Sequence, residues 1–123
     1  MGRTVFENLR VYQLSEEIAD LVWDVVIKWN QFARDSLGLQ LVKAADSIGA
    51  NIAEGTGRGT KADNRKFAVI ARGSLYEVKH WLRRAYKRNL LSKEETHKFK
   101  KIIDELTPRL NAYIKSIGLG LDK

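Results

Sequence analysis

Glu77-x-x-His80 and Glu94-x-x-His97 have the spacing that sets a carboxylate and an imidazole on one side of a helical turn. Di-iron carboxylate sites in helical bundles use that arrangement, with every ligand pointing into the core. At about 100° per residue, His80 lies well away from the face carrying Phe67, Val78 and Ala85, and His97 lies nearly opposite Phe99 and Leu110. The two pairs therefore cannot share a metal, and two solvated histidines on separate helices build no Ser-His-Asp arrangement. Cysteine is absent, which excludes disulfides and thiolate zinc sites and fits a reducing, cytoplasmic setting. No catalytic residue, metal or cofactor is expected, and the chain reads as a non-enzyme.

The run Ile48 to Thr60, IGANIAEGTGRGT, raises a second chemistry, phosphate binding. A Walker loop follows a strand and ends in Gly-Lys-Ser/Thr. Here a helical segment precedes the glycines, and Thr60-Lys61 reverses that order. A dinucleotide fingerprint needs a sheet. The run reads instead as a turn between helices. Gly55 is expected to end helix two in a left-handed cap, and Gly57 and Gly59 to reverse the chain. Thr60 serves as N-cap of helix three, with Asp63 three residues on. Arg58 and Lys61 flank that helix start, which leaves room for one anion contact through free N–H groups. Ser47, Asn51 and Glu54 share a face of helix two close to Lys43. They read as a binding cluster or, more simply, as groups that hold the following turn, with Glu54 near Arg58.

The elements that position these residues are helical throughout. With 123 residues, 44% of them hydrophobic and 30% charged, the chain suits one compact domain spanning 1–123. No apolar run reaches the roughly 18 residues that span a membrane. Apolar residues recur at three- and four-residue spacing, predicting helices over about 12–29, 37–54, 61–89 and 93–117. Helix one has a core face (Leu14, Ile18, Leu21, Val22, Val25, Trp29) and a second apolar strip. That strip, Tyr12, Ala19, Trp23, Val26 and Ile27, is read as a contact with another subunit, anchored by Tyr12, Trp23 and Ile27. Helix two has its core stripe on Leu37, Leu41, Ala44, Ala45, Ile48 and Ile52, with a small-residue strip including Gly49 for close helix approach. Helix three is expected to turn Phe67, Ile70, Ala71, Ser74, Val78, Leu82 and Ala85 inward. Ser92-Lys93-Glu94-Glu95 is a capping box opening helix four, Pro108 falls on that helix's polar side, and the Gly118–Lys123 tail is expected to fray. Short connections favour an antiparallel up-down four-helix bundle.

Charge is uneven along this frame. The net charge is +7, yet residues 58–88 hold ten Lys and Arg against Asp63 and Glu77, so the rest of the chain is close to neutral. Lys61, Arg65, Arg72, Lys79 and Arg83 fall within about 40° on the helical wheel, a stripe some 33 Å long at about 1.5 Å per residue. Tyr76 and Lys87 lie just beside it, and Lys66, Arg84 and Arg88 form a looser second group. A cationic row of that length can follow a phosphate backbone of RNA or DNA and release its counterions. The competing reading pairs the stripe with the acids of helix one (Glu16, Asp20, Asp24) across subunits, so that the charges serve assembly.

Three stretches together resemble one family. Glu7–Gln13 (ENLRVYQ), Ser47–Thr60 (SIGANIAEGTGRGT) and Ala71–Val78 (ARGSLYEV) are similar to the bacterial 23S rRNA intervening-sequence proteins, with Asn51–Gly55 (NIAEG) the most specific part. The resemblance covers roughly Phe6 to Leu91. It implies a four-helix bundle that assembles as a ring-shaped homopentamer, and it carries no catalytic residue. More distantly, the chain resembles accessory proteins of diversity-generating retroelements, which implies nucleic acid and a reverse transcriptase as partners. Asn51, Glu54, Gly55, Arg58, Gly73, Ser74 and Glu77 match the motif. All but Arg58 are read as packing and hairpin positions, with Gly73 and Ser74 admitting another helix close to helix three.

Overall fold

The computed structural model describes residues 5–121, with side chains through Gly118. A short 3-10 turn, Phe6–Asn8, leads into α1 (Arg10–Val26). The chain then passes through a helical turn, Gln31–Ala33, and a π segment, Arg34–Gly38, into α2 (Leu39–Thr56). Helices α3 (Lys61–Lys87) and α4 (Lys93–Leu121) complete an all-helical arrangement with no strand among the described residues. Each helix packs on its neighbours in sequence, and α1 also packs on α4, closing a four-helix bundle.

The core follows the apolar periodicity. Leu14, Ile18, Val22 and Val25 of α1 meet Leu41, Ile48 and Ile52 of α2, all nearly inaccessible. Leu75 and Val78 of α3 and Leu106 and Leu110 of α4 are fully buried. Each such side chain contributes about 1.5–3 kcal/mol on burial, offset by the ordering of the chain. At α1–α2 the approach is close because Gly49 carries no side chain. A Cβ there would lie 2.8 Å from Ser15 Oγ and 3.3 Å from Tyr12 Cε1.

Several ends differ from the expected ones. α1 starts and stops earlier than 12–29, while Trp29 stays in the core and donates from Nε1 to the Leu90 carbonyl at 2.9 Å. This bond ties the first connection to the last. The polar stretch after α1 is helical, because the Asn30 side chain caps it by accepting from Ala33 N at 2.9 Å. Gly38 then lets it pass under Val26, whose Cγ1 would be 2.7 Å from a Cβ. α4 runs on to Leu121, so most of the expected frayed tail is helical; Asp122 and Lys123 lie outside the described residues. Pro108 sits inside α4 on its exposed side and does not end it.

The turn before α3 corrects the role given to Gly55. It lies within α2, without a left-handed backbone, and its value is space: a Cβ would stand 2.7 Å from Asn64 Oδ1 and 3.1 Å from Phe67 Cβ. Gly57 follows as C-cap with φ −87°, and Gly59, with φ 87°, alone supplies the left-handed step. Thr60 caps α3 as expected, its hydroxyl accepting from Asp63 N at 3.2 Å. At the far end Asn89, φ 59°, stops α3, a conformation that Asn tolerates better than most residues. The capping box at α4 is reciprocal. Glu95 N donates to Ser92 Oγ at 3.0 Å and Ser92 N donates to Glu95 Oε1 at 2.9 Å.

Candidate nucleic-acid interface

α3 has three sides, and its sequence sets each one. Ala68, Ala71, Leu75, Val78, Leu82 and Ala85 are buried. Ala68 and Leu75 join the core in place of Ile70, which is 42% exposed, while Phe67 and Ser74 are half-buried. The inward stripe is therefore rotated from the expected one, away from Ile70, because α2 takes the Phe67–Ser74 edge. That edge is polar and satisfied. Ser47 and Ser74 hydroxyls lie 2.9 Å apart, and Asn51 Nδ2 donates to Ser47 O at 2.8 Å and to Ser47 Oγ at 2.9 Å. Glu54 pairs with Arg58 at 3.1 Å. The Ser47–Asn51–Glu54 cluster thus fastens α2 to α3 and to the turn.

Gly73 faces open space, with nothing within 4 Å of a Cβ, so the close helix contact expected there is absent within the chain and falls to Gly55 instead. Glu77, also exposed, accepts from Trp81 Nε1 at 3.3 Å. His80 stacks edge-on against Trp81 at 4.7 Å and, like His97, is exposed.

The basic stripe runs along the opposite flank of α3, on the seam with α4. Arg65 lies beside Gly118, where a Cβ would be 3.1 Å from its Nε. Arg72 Nη1 donates to Asn111 Oδ1 at 3.2 Å. Lys79 Nζ sits 5.0 Å from the centre of the Tyr76 ring. Lys79 and Arg83 then border a groove shared with Phe99, Lys100 and Ile103 of α4, and Lys87 is exposed at the helix end. At the other end Arg58 is drawn inward, by Glu54 and by the Phe67 ring 4.8 Å away, and Lys61 has a partner of its own. Lys100 and Asn111 were not visible as site residues in the sequence, because only the packing of α4 brings them to the seam.

Among the described residues no carboxylate lies within salt-bridge distance of any cation from Arg65 to Arg88. The acids of α1 are remote. α1 and α3 each pack chiefly on α2 and α4, so they stand across the bundle from one another. On that far side Asp46 of α2 is pushed above the usual carboxylate range by partial burial and then by Asp20, and Tyr12 is raised by burial and by Glu16. The α1 surface is thus acidic where α3 is basic. Its second apolar strip divides: Tyr12 is half-buried and packs edge-on against Phe6 at 4.8 Å, Val26 is buried, and Trp23 and Ile27 stay 57% and 50% exposed.

A closed four-helix bundle with one long cationic flank is the class that fold and surface define. Within it, the chain belongs to the 23S rRNA-intervening sequence protein family, whose sequence model matches residues 7–112. That match extends well into α4, beyond the stretches that carry the resemblance in the sequence. Among solved structures, the chain resembles a protein of unknown function from the S23 ribosomal protein family of Bacteroides thetaiotaomicron. The TM-score is 0.75 at 23% identity, over 85% of this chain and 95% of that one. At that identity the likeness speaks to the fold. Among curated proteins none matches. No described helix is long and apolar enough to cross a membrane.

Proposed function

We propose that the protein is a non-enzymatic, oligomeric nucleic-acid-binding protein whose α3 stripe follows the phosphate backbone of RNA or DNA. One observation carries this reading: Arg65, Arg72, Lys79, Arg83 and Lys87 lie along one seam with no carboxylate partner among the described residues. Unpaired like charges repel within a monomer, and a polyanion is the ligand that relieves them along their whole length. The names of the family and of the similar structure, which refer to ribosomal RNA and a ribosomal protein family, agree with it. The paired contacts Arg10–Glu105 with Lys28–Glu95, and Ser47–Ser74 with Gly55–Asn64, support the antiparallel up-down order. Exposed Trp23 and Ile27 support self-association, for which a closed ring is the arrangement we favour.

A second reading has its own observation. Trp23 and Ile27 lie on the acidic helix that stands across the bundle from α3, so an adaptor ring could join acidic α1 to basic α3 of the next copy and offer a protein partner, such as a reverse transcriptase, its remaining faces. A salt titration of binding to duplex DNA, single-stranded DNA and structured RNA separates the two, with oligomeric mass recorded alongside. The nucleic-acid reading expects log affinity to fall linearly with log salt, with a slope steeper than about −3. No binding to any of the three at low salt leaves the adaptor.

A further inference from the structure

The stripe ends in a groove that a phosphate track alone does not need. Between α3 and α4 lies a cleft of about 390 Å³ whose floor is apolar, formed by Leu82, Phe99 and Ile103. Lys79, Arg83 and Lys100 stand at its rim, and no carboxylate lines it. Lys100 is partly neutralised by Asp104 at 2.6 Å, so Lys79 and Arg83 are the unpaired cations there. Tyr86 also lines the cleft with 55% of its surface exposed, and Tyr76, 54% exposed, lies further along the stripe. A large aromatic left in water beside an apolar cleft is a surface waiting for a flat apolar partner.

Duplex nucleic acid presents phosphates outward and keeps its bases stacked inside, so it can use the cations but has nothing to place in the cleft. An unpaired strand offers both groups, since its bases turn out freely and stack on aromatic rings while the backbone follows the cations. Resting on the nucleic-acid reading above, we infer that the α3–α4 groove is a base-binding site for single-stranded nucleic acid. Tyr86 is its stacking platform, and Lys79 and Arg83 hold the adjoining phosphates. The acidic, apolar edge of α1 on a second copy would also complement this groove. Yet such a plug uses only the end of a stripe that continues for about 27 Å to Arg65, whereas a strand uses all of it.

Equilibrium binding of the full chain to single-stranded RNA, single-stranded DNA and duplex DNA of one sequence tests this, using the native protein, Tyr86→Ala and Tyr86→Phe. The native protein should favour a single strand over duplex, with the RNA and DNA arms showing which sugar it accepts. Tyr86→Ala should lose about 5- to 100-fold in single-strand affinity, with duplex affinity unchanged, and Tyr86→Phe should retain it. Duplex bound as tightly as single strands, or Tyr86→Ala equal to the native protein, overturns the groove assignment and leaves the phosphate track standing. A changed oligomeric mass in Tyr86→Ala overturns it in favour of a subunit contact. Failure of the native protein to bind any of the three removes both readings together.

Discussion

α3 and α4 are of nearly equal length and both are rich in charge, yet they use it in opposite ways. Every acid of α4 is paired: Glu94 with Lys98, Glu95 with Lys28, Asp104 with Lys100, and Glu105 with both Arg10 and Arg109. Arg10 holds the Glu105 carboxyl below the usual range through its hydrogen bond, and its own pKa is raised in return. These contacts bind α4 to α1 and to the connection after it, or stay within α4. On α3 the cations from Arg65 onward find neutral partners, Asn111 and the Tyr76 ring, or no ion partner among the described residues. One helix spends its charge on its own bundle and the other keeps it for the outside. Surface ion pairs contribute little individually, so the contrast speaks to function more than to stability.

That contrast can be broken by substitutions on α3 itself, since its stability should come from the core side alone. Leu75→Ala, at a fully buried position, should cost about 2–5 kcal/mol in denaturant unfolding. A cost within the range of surface changes would mean that α3 packs differently. Gly55→Ala should cost about 1–3 kcal/mol, because its methyl meets the Asn64 backbone as well as a side chain. Ser92→Ala, which removes the cap of α4, should cost about 1 kcal/mol.

The cap also predicts a pH dependence. The Glu95 carboxyl is held below its ordinary range, first by the Ser92 N–H and then, against partial burial, by Lys28. Its stabilising contribution is therefore complete above the unfolded Glu pKa of about 4.3 and lost as pH falls through the depressed value. The thermal penalty of Glu95→Gln should be present at neutral pH and vanish under strong acid. A penalty that persists there would assign it to packing. The smallest effect sharpens the contrast most: Arg72→Gln should leave stability within about 0.5 kcal/mol of the native value. A larger loss would show that the stripe serves the bundle.

The bundle was legible because apolar spacing survives folding unchanged. Leu37 and the core stripe of α2 from Leu41 to Ile52 follow from that spacing residue by residue, and the caps at Thr60 and Ser92 from their residue types. The rotation of α3 was not. Ile70 and Leu75 are comparable in hydrophobicity and flank the two edges of the expected stripe, about 140° apart, and only the position of α2 decides between them. The role of Gly55 is hidden in the sequence for a related reason. Gly55 and Gly73 look alike in sequence, but one faces Asn64 and the other faces open space, a matter of tertiary placement. The stripe was visible as a pattern of cations. Its lack of ion partners and its groove depend on where α4 and α1 lie, and no spacing along the chain encodes that.

If the cations of α3, rather than the net charge of +7, bind nucleic acid, charge-matched variants separate the two. The direct measurement compares two variants of equal charge, Arg72→Glu/Lys79→Glu/Arg83→Glu on α3 and Lys98→Glu/Lys101→Glu/Lys115→Glu on α4, by single-strand affinity at fixed salt with folding and mass verified. The α3 variant should lose binding and its salt slope should flatten, while the α4 variant should stay close to the native protein. Equal losses in the two, or a native affinity in the α3 variant, would contradict the phosphate track.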